Sequence, residues 1–287
     1  MYFPCSSLNW RLLALAFATV FFLAAAPVVA QNVAIVTDVS GKVTGPGPVT
    51  ILSEIRADAR LQLEAGARLV TLYLKSGDEY TFSGPSQVQF RAAEPSALSG
   101  AKPQKRASPI GKGGSVTIKP VGVAQAAFVM RSSRTTARIR LLSLSGTRTL
   151  ESSPEFRWQA IEPGVNYRFE LTDDTGRSLY ESEVQATSLK LPASVTLKEG
   201  ASYTWEVSAR TPDNRRYVTA GDFTIAPAEL RSQAQVLRPP SSAPVSDRVA
   251  YAAWLEQSEL RDEARKYWQA LAKERPDDEK LKALAAE

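Results

Sequence analysis

Four groups of side chains in this sequence have types and spacings that could do chemistry. Ser99-Gly100-Ala101-Lys102 has the S-x-x-K spacing of an acyl-enzyme. That chemistry needs the serine at a helix start in a buried cleft. Here it sits among glycines and prolines, so acyl transfer is not expected. Gly111-Lys112-Gly113-Gly114-Ser115 has the composition of a phosphate loop. It lacks the G-x-x-x-x-G-K-[ST] spacing that aims backbone N–H groups at one phosphate. Asp173-Asp174 could be a carboxylate pair. Adjacent residues on a strand point to opposite faces, however, and Asp-Asp-Thr-Gly reads better as a hairpin turn. The fourth group is Arg131, Arg134, Arg138 and Arg140, whose chemistry is recognition of anions. If that stretch is a strand, Arg138 and Arg140 share one face.

Histidine is absent. That removes Ser-His-Asp and Cys-His catalysis, histidine-ligated zinc and a histidine pH switch. The one cysteine, Cys5, lies in a segment expected to be cut away. No catalytic residue, cofactor or metal is assigned, and the expectation is a protein that is not an enzyme. The alternative is a carboxylate-dependent glycan-acting enzyme, or a glycan-binding protein, since glycoside hydrolysis needs only two acids. The carboxylates here fall in turns, at strand edges or on helix surfaces.

The N-terminus reads as an address. Arg11 is the only charge before Asp38, and an apolar run over residues 12–26 follows it. Pro27 breaks the run, and Val28-Val29-Ala30 places small residues before Gln31. This is the layout of a secretory signal peptide spanning 1–30, cleaved after Ala30. The other reading is a retained anchor, because residues 12–29 approach the length that spans a core about 30 Å thick. Cys5 precedes the apolar run and so cannot be a lipoprotein acceptor. No later segment is apolar for long enough to span a membrane, so no transmembrane helix is expected after cleavage. Export without a disulfide fits the bacterial periplasm, where nucleic acid is not an expected partner.

The 287 residues are 44% apolar and 23% charged, a globular composition whose length suggests about two domains. Charge is unevenly placed. Residues 31–90 carry 5 basic and 6 acidic side chains, residues 91–148 carry 11 and 1, and residues 149–287 carry 18 and 23. The central basic stripe would meet anionic lipid, glycan or an acidic protein. Otherwise it is a solvated linker attracted to its own acidic neighbours.

Residues 31–92 read as five or six short strands. Gly45-Pro46-Gly47-Pro48, Ser76-Gly77-Asp78 and Gly84-Pro85-Ser86 supply the turns. The run RLQLEAGARLVTLYLKSGDEYTFSGPSQVQF, residues 60–90, resembles the FecR domain, which has a strand, a Gly, an apolar strand, a Ser/Asp-Gly hairpin and a Gly-Pro turn in this order. In that family the domain is the periplasmic end of a transmembrane regulator of a sigma factor. This chain shows no cytoplasmic anti-sigma segment, so the resemblance implies an envelope interaction module. Residues 93–120, interrupted by glycine and proline, read as a basic linker.

Residues 121–226 read as an immunoglobulin-like β-sandwich. Val165, Tyr167, Phe169 and Leu171 form one period-two face, and Tyr203, Trp205 and Val207 another. The segment resembles fibronectin type III domains. Trp158 stands where an early core tryptophan is expected, and Leu197 precedes Tyr203 by the spacing of that family's tyrosine corner. Residues 227–245 read as a Pro/Ser linker. In residues 246–287, Ser246 is an expected N-cap, and Ala264, Tyr267, Trp268, Leu271 and Ala272 have helical spacing. With Pro276 as an end mark, this helical hairpin resembles one tetratricopeptide repeat, with Ala252, Ala264 and Trp268 at the small, small and aromatic positions. Leu271 departs from the pattern, standing where that family has a small residue. A single repeat cannot bury its face alone. It is expected to dock within the chain rather than on another copy or a partner.

The sequence therefore predicts a mainly β multidomain protein with a small FecR-like β module, an immunoglobulin-like sandwich and a C-terminal α-helical hairpin. Its expected role is a noncatalytic periplasmic interaction, signalling or scaffold module. The expected partner is an envelope protein, with anionic lipid or glycan as further contacts of the basic stripe.

Overall fold

Strand β1 (Asn32–Ser40) is buried almost throughout, from Val33 to Asp38. A strand buried on both faces needs a cover on each side, and the computed structural model, which describes residues 31–111 and 138–286, provides two. The first is a second sheet. One sheet has the order β3 (Glu54–Arg56), β1, β5 (Arg68–Tyr73), β6 (Asp78–Ser83) and β9 (Gln104–Ala107). The other runs β2 (Val43–Thr44), β4 (Arg60–Leu63), β7 (Ser86–Gln89) and β8 (Ser96–Ser99). Val36, Leu63, Leu69, Tyr73, Phe82 and Phe90 fill the space between them. Gly77, at φ +69°, makes the β5–β6 turn with its backbone against Gly111, where a side chain would collide. The stretch expected to be a linker from residue 93 thus contains two strands. Their side chains are mostly exposed and polar, so they carry no hydrophobic periodicity. What holds β9 is its backbone ladder to β6.

The second β unit has β10 (Thr147–Thr149), β16 (Arg216–Ile225), β15 (Ser202–Arg210), β12 (Tyr167–Asp173) and β13 (Ser178–Val184) in one sheet, in that order. Strands β11 (Glu155–Arg157) and β14 (Ser188–Lys190) form the facing sheet. Residues 138–142 run beside β11 through a Leu141–Trp158 bridge, and the chain then crosses to pair β10 in parallel with β16. This is an immunoglobulin-like arrangement. Its core holds Phe156, Trp158, Phe169, Trp205 and Phe223, with register pairs such as Leu171–Trp205 and Tyr203–Phe223. The Tyr203 hydroxyl accepts the Lys198 N–H at 2.8 Å, next to buried Leu197.

Four helices follow: α1 (Ala228–Leu237), α2 (Val245–Gln257), α3 (Arg261–Glu274) and α4 (Glu279–Ala286). Helix α1 occupies the expected linker 227–245. It buries only Ala234 and Leu237, too narrow a face to announce itself in the sequence. Helix α2 begins at Val245 with Pro244 at the N-cap, not at Ser246. Ser246 is buried, and its hydroxyl accepts a hydrogen bond from Arg106. Every residue from Val249 to Leu255 is buried, as expected of a helix covered on all sides. Its apolar residues meet Ile35, Ile51, Leu72 and Ile110, and so provide the second cover for β1 and β5. The α2–α3 turn docks on the immunoglobulin-like unit. There the Thr147 hydroxyl donates to the Glu259 carbonyl at 3.0 Å, and the Leu144 N–H donates to the Asp262 carboxylate at 2.7 Å. Asp278 caps α4 by accepting the N–H groups of Lys280 and Leu281.

Candidate interaction surface

The groups that could do chemistry fall into separate environments. Ser99 and Lys102 are exposed at the β8–β9 connection, and no helix begins there. Gly111 ends the described part of the glycine-rich motif, and residues 112–115 lie outside the described residues. Asp173 organises the β12–β13 turn. Its carboxylate accepts from the Thr175 hydroxyl at 2.6 Å and from the Thr175 and Arg177 N–H groups, which hold its pKa below the ordinary value. It is a turn carboxylate and not half of an acidic pair.

The basic stripe is divided by the fold. Lys105 pairs with Asp78 at 2.9 Å, and this hydrogen bond lowers the Asp78 pKa and raises that of Lys105. Arg106 reaches Glu79 at 2.6 Å and Asp247 at 2.6 Å. Burial opposes its charge, but the two carboxylates outweigh burial and raise its pKa. Arg148 pairs with Glu259 at 3.0 Å. These three cations are engaged within the chain, as the self-attraction reading expects.

Among the described residues, Arg138 and Arg140 have no such partner. Arg131 and Arg134 lie outside the described residues, but Arg138 and Arg140 are exposed on either side of buried Ile139. The Ile139 N–H donates to the Thr219 hydroxyl at 2.9 Å. The Arg140 carbonyl accepts the Gln159 N–H at 2.8 Å, and the Leu142 N–H donates to the Arg157 carbonyl at 2.8 Å. The Ser143 hydroxyl fastens the same edge, donating to the Glu155 carbonyl and accepting the Arg157 N–H. In this antiparallel register Leu141 and Trp158 point inward together. Arg140, Leu142 and Arg157 therefore point outward together. Strand β14 adds Lys190, opposite Glu155 on the same outer face.

The outer face of the smaller sheet thus displays Arg138, Arg140, Leu142, Arg157 and Lys190, together with Glu155. Among the described residues none of the three arginines has an ion-pair partner. Arg157 and Lys190 were missed by sequence reading because they lie outside the 91–148 stripe. The available signal was their place, outward on either side of Phe156 and Leu189.

Two concavities among the described residues lie elsewhere. One of about 660 Å3 is lined by Val49, Glu274, Arg275, Asp277, Asp278 and Lys280, and another of about 410 Å3 by Pro46, Pro48, Ile55 and Leu61. In the first, Glu274 is bound by Arg248 and Asp278 caps a helix. Among the described residues, no group of three or more His, Cys, Asp and Glu side chains could hold a metal ion. No described helix is long and apolar enough to cross a membrane.

No family model matches the chain, and no curated protein sequence matches it. Among solved structures the chain is similar to CopC from Methylosinus trichosporium OB3b, with 19% identity over 31% of this chain and 95% of that one, and a TM-score of 0.25. It is similar to the fn3 domain of human collagen alpha-1(XX) chain, with 20% identity over 39% and 92% and a TM-score of 0.25. It is also similar to PorZ, a surface component of the type-IX secretion system of Porphyromonas gingivalis, with 12% identity over 54% and 21% and a TM-score of 0.22. The immunoglobulin-like description rests on the strand order and core given above.

Proposed function

We propose that this chain is a noncatalytic, exported module of the bacterial envelope that engages an anionic partner through the basic outer face of its immunoglobulin-like unit. The observation that carries this reading is the split of the basic stripe. Lys105, Arg106 and Arg148 are neutralised within the chain, whereas Arg138 and Arg140 share an exposed face with Arg157. Cleavage after Ala30 would release the chain into the periplasm. The first sandwich reads as FecR-like and the α2–α3 hairpin as tetratricopeptide-like. In this reading both serve as a scaffold that holds the basic face, and a signalling role would act through the same scaffold. A glycan hydrolase has less support, because three of the four carboxylates lining the largest concavity described are committed, Glu274 to Arg248, Glu279 to Lys282 and Asp278 to a helix cap.

Each exposed ion pair contributes under about 1 kcal/mol, so affinity comes from several acting together and is lost with salt. The test is retention on immobilised heparin, a polyanion, across a salt gradient. We expect Arg138→Gln/Arg140→Gln/Arg157→Gln to elute at clearly lower salt than the unaltered chain. Elution at the same salt would reject this surface.

A further inference from the structure

We infer that the anionic partner of this face is the headgroup layer of an anionic lipid bilayer, so that the protein lies peripherally on a membrane; this rests on the basic-face reading above. Three features of the face lead there. First, it is the outer side of a sheet, and the concavities described above are lined by other residues. Arg138, Arg140 and Arg157 are spread along it without converging on one point. Such an array suits many anions in a plane better than a single bound group. Guanidinium groups also match phosphate oxygens in bidentate geometry.

Second, Leu142 stands between Arg140 and Arg157 with 43% of its surface exposed. It is one of few large apolar side chains exposed to that degree among the described residues. With Arg140 beside it along the strand and Arg157 opposite it, Leu142 is an apolar foot that can enter the boundary between headgroups and acyl chains. Third, among the described residues the face lacks what a stable protein interface needs. Such interfaces are anchored by a buried centre of aromatic or aliphatic side chains, and this face has one leucine. A membrane needs only clustered cations and a modest apolar contact. Glu155 opposes Lys190 and offsets it, which leaves the three arginines as the effective charge.

The measurement is co-sedimentation of the chain from Gln31 onward, which contains the whole described fold, with vesicles. One set is an equal mixture of phosphatidylglycerol and phosphatidylcholine, the other phosphatidylcholine alone. Binding is expected to the mixed vesicles only. Each arginine near an anionic surface is worth about fivefold in partition, so Arg138→Gln/Arg140→Gln/Arg157→Gln should lose about a hundredfold. Leu142→Ala should weaken vesicle partition and leave heparin retention unchanged. Arg91→Gln/Lys102→Gln, which alters two exposed cations of the stripe away from the face, should bind as the unaltered chain does. Near-ultraviolet circular dichroism checks that each variant keeps its aromatic core. Heparin retention without vesicle binding would overturn the lipid assignment and leave the basic-face reading intact. Absence of both would overturn the two together. Equal losses from the Arg91/Lys102 pair and from the three arginines would remove the face as a site.

Discussion

Trp205 sits where four strands bring aromatic rings together. Its ring centroid lies 5.3 Å from that of Phe156 and 5.9 Å from that of Phe169. Its indole N–H donates to the Leu144 carbonyl at 2.7 Å. Burial of the ring and satisfaction of its one polar atom make it a core residue, not a sugar platform. Trp205→Ala should cost about 3–5 kcal/mol and lower the melting temperature by roughly 10 °C or more. A thermal melt followed by circular dichroism checks this, and an unchanged midpoint would refute the core placement. Tyr203 makes a subtler case. Tyr203→Phe keeps the ring against Phe223 and removes only the acceptor of the Lys198 N–H. The expected loss is about 1 kcal/mol, read as a lower urea midpoint at unchanged slope. These residues were legible because alternation of large aromatics along β12 and β15 has few readings besides a packed sheet face. Arg106 was not legible. Nothing local distinguishes it from Lys102 or Lys105, and its role is set by Asp247, which is distant in sequence.

At the scale of elements, legibility followed the width of the apolar face. The alternating strands of the second sandwich and the stripe on α3 were readable, whereas β8, β9 and α1 were not. Edge strands held by backbone ladders leave little trace in side-chain pattern. The run Leu69-Val70-Thr71-Leu72-Tyr73 is instructive because it does not alternate. A run of that kind requires two covers, and the second, α2, lies at the far end of the chain. Within the hairpin, Arg248 of α2 reaches Glu274 of α3 with bonds of 2.7 and 3.0 Å. This hydrogen bond, followed by the effect of burial, which opposes it, leaves the Glu274 pKa below its ordinary 4.5. The folded state therefore binds the proton less readily than the unfolded state. The pair's contribution is present above pH 4.5 and disappears as the pH falls through the folded value. Glu274 is half exposed, so the effect is small. Glu274→Gln should be slightly less stable than the unaltered chain at neutral pH and equal to it in acid. Chemical denaturation at several pH values checks this, and a gap that stayed constant with pH would exclude the pair as its cause.

At the scale of the molecule, the helices pack against both sandwiches. The described residues from Asn32 onward form one compact unit. Helix α2 shares a core with β1 and β5, while the α2–α3 turn is bonded to β10. Two charge clusters cross the first of these contacts. Arg106 holds Asp247 and Glu79, and Arg275 joins Arg68 on Asp38, whose side chain is 4% exposed. Buried carboxylates without a cation are costly, and the packed helices supply no substitute. The exported chain should therefore unfold in a single calorimetric transition, with the van't Hoff enthalpy equal to the measured one. Arg106→Ala strands Glu79 and Asp247, for a loss of about 1–3 kcal/mol. It acts on the contact between units and not on either core. Combined with Arg275→Ala, it should split the transition, with the first sandwich melting apart from the helices and the second sandwich. Ending the chain at residue 244 should do more, because Ile35 and Leu72 then face water and the shortened chain should aggregate. Two resolved transitions in the unaltered chain, or a monomeric 31–244 chain of equal stability, would show that each sandwich stands alone and that the helices only rest on them.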